Sequence, residues 1–284
     1  MSYTLTYTSG GVTIEMGADK AFILKSFSDP NAQNISFSTS NGVNEIGSKI
    51  EAQSVSAKTF SLTGMIRGRA DKLKEKLLRA VAPMQKGVLT YNGKLSIEVY
   101  PKSTPTIERF TNNPMFNFTL YAPYPFWRNT SENVDLVVGL GKRFRFPWNI
   151  STPYRWSEYS AASYVNIYNK GSVPARWRTE FYAGIPMKNP KLLNILTGAY
   201  VKVNTEMEIG DKVIIDTTGQ ELQVTGVDVN GNEVSLFEHL DIDSDPFQLL
   251  VGDNLIRATV DTEDVVPQVN MYHFDYYAGV DVTT

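Results

Sequence analysis

Residues 115–128, MFNFTLYAPYPFWR, constrain the fold of this chain more than any other stretch. Apolar side chains occupy every second position from Phe116 to Leu120, and this period of two predicts a half-buried strand. Pro123 and Pro125 end that strand, because proline lacks the backbone donor of a sheet ladder and disfavours helix at the residue before it. The aromatic residues that follow predict a stiff, extended exit from a sheet, covered by other parts of the chain.

Length and composition limit the class of protein. The 284 residues are enough for two domains, and 42% hydrophobic with 20% charged residues is typical of a chain that folds around real cores. The sequence has no cysteine, which excludes disulfides, cysteine metal sites and thiol nucleophiles. The first residues do not resemble a signal peptide, and no apolar segment approaches the ~18 residues of a membrane span. We therefore expect a soluble protein made in the cytoplasm, without a membrane partner.

Turn and helix signals predict a β-rich first domain with one helix. Gly10-Gly11 separates two alternating stretches, and Asn92-Gly93 supplies the residue pair that a tight hairpin turn requires. Residues 69–82 carry apolar side chains at helical spacing and end before a proline. The change of parity near Lys58-Thr59 predicts a bulge or kink in a strand.

Residues 28–53 predict a long loop. They are rich in Ser, Asn, Gln, Asp and Gly, and their apolar residues, among them Ile35, Phe37 and Ile50, are scattered. A loop of this length within a compact domain requires a function or disorder to explain it. An arm that packs on a neighbouring subunit would meet that requirement.

The second half reads as all strand. The polar residues 129–133 form the candidate linker, and beyond them short alternating stretches are interrupted by turns at short intervals, such as Gly210-Asp211 and Asn230-Gly231. Regular short strands with frequent turns are typical of a β-sandwich.

Several short motifs occur in a fixed order along the chain. They are Phe60–Ile66, the helix with Leu73, Leu77 and Leu78, Gly87–Tyr91, the Pro-aromatic-Pro-aromatic block, Asn166–Gly171, Gly210-Asp211 and Tyr276–Val280. This order resembles that of the distal tail proteins of siphophages, the hub that joins the tail tube to the adsorption apparatus. The resemblance extends over nearly the whole chain.

The resemblance implies an α+β fold in two domains. Residues 1–131 would form a β-rich, ring-forming belt domain with one helix, and residues 132–284 an all-β, galectin-like sandwich. Six copies would form a ring that continues the tail tube and leaves a channel for DNA, which is passing cargo and not a ligand. The implied partners are the major tail (tube) protein, a tail-associated hub or lysin protein and a receptor-binding protein. The implied location is the tail tip of the virion, after synthesis in the host bacterial cytoplasm.

A rotational ring needs a heterologous interface, which an exposed hairpin and a long arm suit better than a self-complementary patch. The residues that we expect at this subunit interface are Phe60, Leu62, Tyr91, Asn92 and Gly93.

The two halves differ in charge. Residues 1–130 hold 15 Lys and Arg against 9 Asp and Glu, whereas residues 131–284 hold 12 against 21. Two interpretations remain open: two independently solvated surfaces, or a basic half that meets acidic neighbours in an assembly.

The residues needed for catalysis or for a cofactor are scarce. With two histidines and no cysteine, the usual arrangements of nucleophile and base are nearly excluded. Carboxylates are plentiful, but no pair stands in a recognisable glycosidase setting, so we predict no enzyme. Residues 241–245 begin like a calcium loop, but Pro246 and Gly252 stand where that loop needs glycine and glutamate. Residues 139–142 lack the spacing of a phosphate-binding loop. We therefore predict no metal ion and no cofactor.

A second function remains as the alternative. Exposed aromatic rings stack on sugar faces or anchor protein partners, although such rings equally cap a sandwich core. They would make the chain a carbohydrate-binding accessory module that attaches the virion to the host cell wall. The rings in question are Trp148, Tyr154, Trp156, Tyr159 and Tyr164.

Overall fold

The computed structural model describes residues 3–41, 46–68, 71–109, 112–137, 164–219, 221–262 and 265–281, with the backbone alone of residues 140–141 and 158–159. The chain divides into two compact units. The first unit contains Met1–Thr130 and the residues from Tyr276 onward, and the second contains Ser131–Asp275. The predicted second domain ended at the C-terminus, so the assignment of residues after Asp275 is corrected: their strand and apolar side chains pack with the first unit.

Within its described residues, the first unit consists of short strands and one helix, α1 (Asp71–Ala80). The strands are β1 (Leu5–Ser9), β2 (Val12–Met16), β3 (Phe22–Phe27), β4 (Ile35–Ser40), β5 (Lys49–Val55), β6 (Lys58–Ile66), β7 (Gly87–Tyr91), β8 (Leu95–Pro101), β9 (Thr106–Ile107), β10 (Met115–Ala122) and β11 (Trp127–Asn129).

Seven of these strands close into a barrel. The order runs β8, β7, β1, β2, β3, β6 and β10, and pairing of β10 with β8 at Leu120↔Pro101 and Tyr121↔Tyr100 joins the two ends. Neighbours pair antiparallel except β2 and β3, which meet in parallel at Met16↔Phe22. Closure removes most of the open sheet edges that would otherwise invite pairing with other chains.

The barrel core follows from the alternation in its strands. Phe116, Phe118 and Leu120 of β10 are buried, as the sequence predicted, and one aromatic contact joins Phe116 to Phe22 in an edge-on arrangement. Helix α1 packs on β1 and β2 through Leu77 and other buried side chains. On its exposed face, Arg79 Nη2 forms an ion pair with Glu75 Oε1 at 2.6 Å.

The long loop predicted for residues 28–53 is wrong in part. Strands β4 and β5 pair antiparallel from Ile35↔Val55 to Ser40↔Lys49 and form a separate two-stranded sheet. The sequence concealed this hairpin because most of its positions are serine or other polar residues, which have low strand propensity. A kink within one strand was predicted near Lys58-Thr59. The structure instead has two strands there, because β5 ends at Val55 and β6 begins at Lys58.

The second unit is built from strands and a single 3-10 turn, Phe237–His239, within its described residues. Its strands are β12 (Asn133–Leu136), β13 (Leu140–Gly141), β14 (Glu158–Tyr159), β15 (Val165–Asn169), β16 (Trp177–Tyr182), β17 (Met187–Lys188), β18 (Lys191–Asn194), β19 (Tyr200–Lys202), β20 (Glu206–Met207), β21 (Lys212–Asp216), β22 (Gln223–Val227), β23 (Glu233–Ser235), β24 (Gly252–Thr259) and β25 (Gln268–His273). The last strand, β26 (Tyr276–Tyr277), belongs to the first unit and pairs with β11.

Two sheets make up most of the second unit. The larger has the order β12-β25-β16-β21-β22-β23, and the smaller has the order β15-β24-β18-β19. In β16 the side chains of Trp177, Thr179 and Phe181 are buried while those between them are partly exposed. The described residues of this half agree with the all-β prediction apart from the 3-10 turn, and the central strands of each sheet bury one face.

Candidate functional site

The hairpin of β4 and β5, called the arm below, is the most exposed element of the first unit. Nearly every described residue of both strands is exposed to solvent. An isolated two-stranded hairpin is marginally stable in water, because it buries little apolar surface. The arm therefore needs a covering surface that its own unit does not supply.

The two faces of the arm differ in polarity. Residues directly opposite each other in an antiparallel pair share a face. The pairs Ile35↔Val55 and Phe37↔Gln53 lie on one face, and Ser36↔Ser54 lies on the other. A register shift after Ser38 then pairs Thr39 with Ile50. The side chain of Ile50 therefore lies on the same face of the arm as Ile35 and Phe37.

The exposure of these apolar residues is large. Phe37 is 54% exposed, Ile50 is 60% exposed, and Ile46, between the two strands, is fully exposed. Clusters of exposed apolar residues of this kind mark interaction sites in soluble proteins. The sequence signal for these exposed apolar residues is the alternation of Ile35 with Phe37. Both residues lie in the stretch that was predicted to be a long loop.

The root of the arm is held by several hydrogen bonds within the first unit. Both Lys58 Nζ and Trp127 Nε1 donate to the carbonyl oxygen of Pro30, at 2.6 and 3.0 Å. Gln33 Nε2 donates to the carbonyl oxygen of Ala278 at 2.7 Å, and Ser56 N–H donates to Asn34 O at 2.9 Å. The exposed strands thus project from a fixed base.

Two of the predicted interface residues are misplaced. Phe60 and Leu62 are fully buried in the core of their own unit, where the Phe60 ring stacks on Phe27 at a centroid distance of 5.4 Å. Their positions on β6 point into the barrel, so a neighbouring subunit has no access to them. The alternation was read correctly, but the buried face was assigned to the subunit interface.

The other three predicted interface residues form the turn between β7 and β8. Asn92 and Gly93 both have positive φ, 49° and 69°, as the sequence predicted for a tight hairpin. Asn92 Oδ1 accepts the Thr4 N–H at 2.8 Å, while Tyr91 stacks on Tyr3. Tyr91 is partly buried, whereas Asn92 and Gly93 are exposed, so the tip of this turn is free to meet another subunit.

The aromatic residues proposed for glycan or partner contact are mostly outside the described part of the chain. Trp148, Tyr154 and Trp156 lie outside the described residues, and only the backbone of Tyr159 is described. Tyr164 is 55% exposed. A glycan or partner site at these five residues therefore stays a prediction.

The residues considered for catalysis or metal binding have structural roles where they are described. His273 is buried and its Nε2 lies 3.1 Å from Asp135 Oδ2, between paired strands. The Asp243 backbone N–H donates to the Asp241 carboxylate and lowers its pKa. Within the ranges given above, no group of three or more His, Asp or Glu could hold a metal ion. No helix in the described part of the chain combines the length and apolar character that a membrane crossing requires.

Residues 170–271 match the sequence model of the siphovirus-type tail component, C-terminal domain. This range contains most of both large sheets of the second unit. The predicted resemblance to siphophage distal tail proteins is confirmed. No curated protein matches the sequence.

Solved structures share the fold across both units. A crystal structure of SPP1 Dit, described as a paradigm of the hub of the adsorption apparatus in phages that infect Gram-positive bacteria, has a TM-score of 0.64 at 10% identity, covering 96% of this chain and 98% of that one. A chain of the phage P2 baseplate in its activated conformation with calcium has a TM-score of 0.55 at 10% identity, covering 99% of this chain and all of that one. A phage p2 baseplate chain with strontium has a TM-score of 0.53 at 10% identity, with coverages of 95% and 97%.

Proposed function

We propose that this chain is a structural hub of a siphophage tail tip. Six copies form a ring through their first units, the ring continues the tail tube, and its centre leaves a channel for DNA. The tube protein binds on one side of the ring, and a tail-associated hub or lysin protein and a receptor-binding protein bind elsewhere. The match of residues 170–271 to a tail-component domain supports the tail location, and the shared fold of SPP1 Dit and the P2 baseplate chain supports the hub role.

The observation that carries the ring is the apolar face of the arm. A second copy of the chain covers Phe37 and Ile50, because each copy in a closed ring offers an arm to one neighbour and receives the arm of the other. Full burial of a large apolar side chain contributes roughly 1.5–3 kcal/mol. Covering the exposed parts of Ile35, Phe37, Ile50 and Val55 in this way stabilises each contact by several kcal/mol.

The second unit has the role of a projecting module in this proposal. Its two sheets each bury one face, and we infer that these faces cover one another as a sandwich of the galectin type. In this proposal the chain is not an enzyme, and its function in the tail is to connect other tail proteins mechanically.

Two matched variants of the arm test the ring. Phe37→Lys places a positive charge on the apolar face of the arm. Ser36→Lys places the same charge at the neighbouring position in the sequence, on the opposite, polar face. Both positions are exposed, so neither change disturbs the core of the barrel. Electron microscopy and native mass spectrometry of the purified full-length chain then report the ring and its copy number.

We expect rings for the original chain and for Ser36→Lys, and folded monomers for Phe37→Lys, which lose the stabilisation that the ring contacts supply. Rings that persist in Phe37→Lys would assign the interface to another surface. A chain that remains monomeric at every concentration, with or without purified tail tubes, would contradict the ring itself.

A further inference from the structure

The end strand β23 of the larger sheet in the second unit presents an open edge, unlike the end strand β19 of the smaller sheet. Strand β23 ends the sheet and pairs only with β22 in the described part of the chain. In the smaller sheet the end strand β19 is covered, because the carbonyl groups of Tyr200 and Lys202 accept backbone N–H groups of Asp245 and Asp241 at 2.8 and 2.9 Å. An open edge presents a template for another strand.

The register of β22 and β23 identifies the groups that face outward. Leu236 N–H donates to Val224 O, and Asp228 N–H donates to Asn232 O, at 2.8 and 3.1 Å. Hydrogen-bonded pairs alternate with non-bonded pairs in an antiparallel ladder, so the backbone groups of Glu233 and Ser235 point away from β22. Two donors and two acceptors are thereby directed to the open edge.

Apolar surface adjoins this edge. Val234 is 60% exposed, and Phe237, two residues after the end of β23, is 52% exposed. A cleft of about 730 Å³ lies at the C-terminal end of β23 and is lined by Gln223, Val224, Ser235, Phe237, Leu240 and Pro246, among others. This volume is in the usual range for sites that bury a ligand or an anchoring side chain.

The chain segment that forms the edge carries negative charge only, and the nearby Lys212 of β21, which pairs with Val227, lies just outside that segment. Residues 213–256 contain nine Asp and Glu and no Lys or Arg, and they include all of β22 and β23. Glu233 lies on the edge strand itself, and Asp228 and Glu238 flank it. A second copy of the same edge would meet like charge, which disfavours pairing of the edge with itself. The complementary occupant carries positive charge.

We propose that β23 is a docking edge for an extended, cationic segment of a partner protein, which adds a strand to the sheet. The segment runs beside β23, bonds to the outward groups of Glu233 and Ser235, and carries lysine or arginine on the Glu233 side. On the opposite face its apolar side chains pack on Val234, and one end reaches the cleft beside Phe237. Main-chain hydrogen bonds hold the added strand on the sheet, as in other strand additions. The alternation of cationic and apolar side chains along the segment determines which partner binds. This proposal does not depend on formation of the ring.

The probe is a fluorescent eight-residue peptide that alternates lysine with valine, titrated with the full-length chain and followed by anisotropy. A peptide that alternates glutamate with valine tests charge, and the lysine peptide with a central proline tests strand pairing, because proline cannot donate to a ladder. We expect binding of the first peptide and at least about tenfold weaker binding of the other two.

Two variants locate the site. Ser235→Pro removes an outward N–H that β22 does not use, and proline is tolerated on edge strands in such positions. Glu233→Lys reverses a charge on the edge, and Asp19→Lys makes the same change of charge at an exposed position of the first unit. We expect at least about tenfold weaker peptide binding for the two edge variants, which corresponds to about 1.4 kcal/mol, and no change for Asp19→Lys.

Several outcomes would overturn the proposal. One is the absence of binding by the lysine peptide. Another is equal binding of the lysine peptide with and without the central proline, since equal binding would indicate electrostatic attraction without an added strand. Loss of binding in Asp19→Lys equal to that in Glu233→Lys would indicate a net-charge effect. Self-association of the chain that Ser235→Pro abolishes would make the occupant a second copy. If Ser235→Pro fails to fold, slowed hydrogen exchange of the Glu233 and Ser235 amides in the peptide complex replaces it, and unchanged exchange refutes strand addition.

Discussion

Val280 donates its backbone N–H to Asn31 Oδ1 at 2.8 Å, although 249 residues separate the two in the sequence. Asn31 Nδ2 in turn donates to Asp281 Oδ2 at 2.7 Å. These bonds join the C-terminal segment to the root of the arm, close to the Pro30 carbonyl that Lys58 and Trp127 share. The end of the chain is therefore part of the structure that holds the arm in place.

Gly279 is the residue at which this junction is most sensitive to substitution. A Cβ at position 279 would overlap the side-chain oxygen of Asn31, which is already engaged by Val280. We expect Gly279→Ala to lower the free energy of unfolding of the first unit by about 1–3 kcal/mol, as overpacking usually does. Gly184→Ala is the control, because no atom lies near the added methyl group. Urea unfolding of both variants measures the difference, and equal stabilities would contradict the junction.

Removal of the residues after Asp275 should destabilise the first unit and leave the second intact. The truncated chain loses β26, which pairs with β11, and the buried side chains of Tyr276 and Val280. Hydrogen exchange should then become faster in β8 and β11 and stay unchanged in β16 and β25. A chain that ends at Asp281 keeps all of these contacts and serves as the control. Faster exchange throughout the second unit would show that its stability also depends on this segment.

Gly93→Val should destabilise the β7–β8 hairpin through its backbone alone. Gly93 has φ of 69°, and nothing lies within 4 Å of a Cβ built there, so the added side chain meets no neighbour. A residue with a Cβ costs roughly 1–2 kcal/mol in this left-handed region, and a branched one costs more. Thermal unfolding of the full-length chain measures the loss. Gly93→Asn should retain most of the stability, since asparagine tolerates positive φ, and equal losses for both variants would refute the backbone explanation.

The buried Lys58 should make the stability of the first unit depend on pH in the alkaline range. Burial lowers its pKa to about 8, and the Asp29 carboxylate opposes that shift. An unfolded lysine keeps its ordinary pKa of 10.5, so between these values the unfolded chain binds more protons than the folded chain. The free energy of unfolding therefore gains a contribution from Lys58 as the pH rises from about 8 to about 10.5.

Comparison with Lys58→Met isolates this contribution, because the other titrating groups occur in both chains. The Pro30 carbonyl keeps its bond from Trp127 in the variant. Urea unfolding at a series of pH values should show that the stability of the original chain minus that of the variant increases across the window. A difference that is constant or decreases with pH would contradict the lowered pKa.

Local signals in the sequence determined the elements whose stability is itself local. The Asn92-Gly93 turn, the helix over residues 71–80 and the alternating strand β10 were predicted correctly, because turn geometry and side-chain period depend on residues a few positions apart. The ordered motifs likewise determined the resemblance to the distal tail proteins, which the match of residues 170–271 confirmed. The all-β character of the second half followed from its regular turns.

Tertiary structure alone decided which surfaces are inside. Phe60 alternates as any strand residue does, and only barrel closure shows that its side chain points into the core. The polar composition of the arm hid its hairpin, because pairing of β4 with β5 depends on register and not on local apolar content. The return of Val280 to Asn31 joins positions 249 residues apart, and no local pattern encodes a contact over that distance. Such contacts form only when the whole unit has folded and the loss of chain entropy on closing so long a loop is offset by burial.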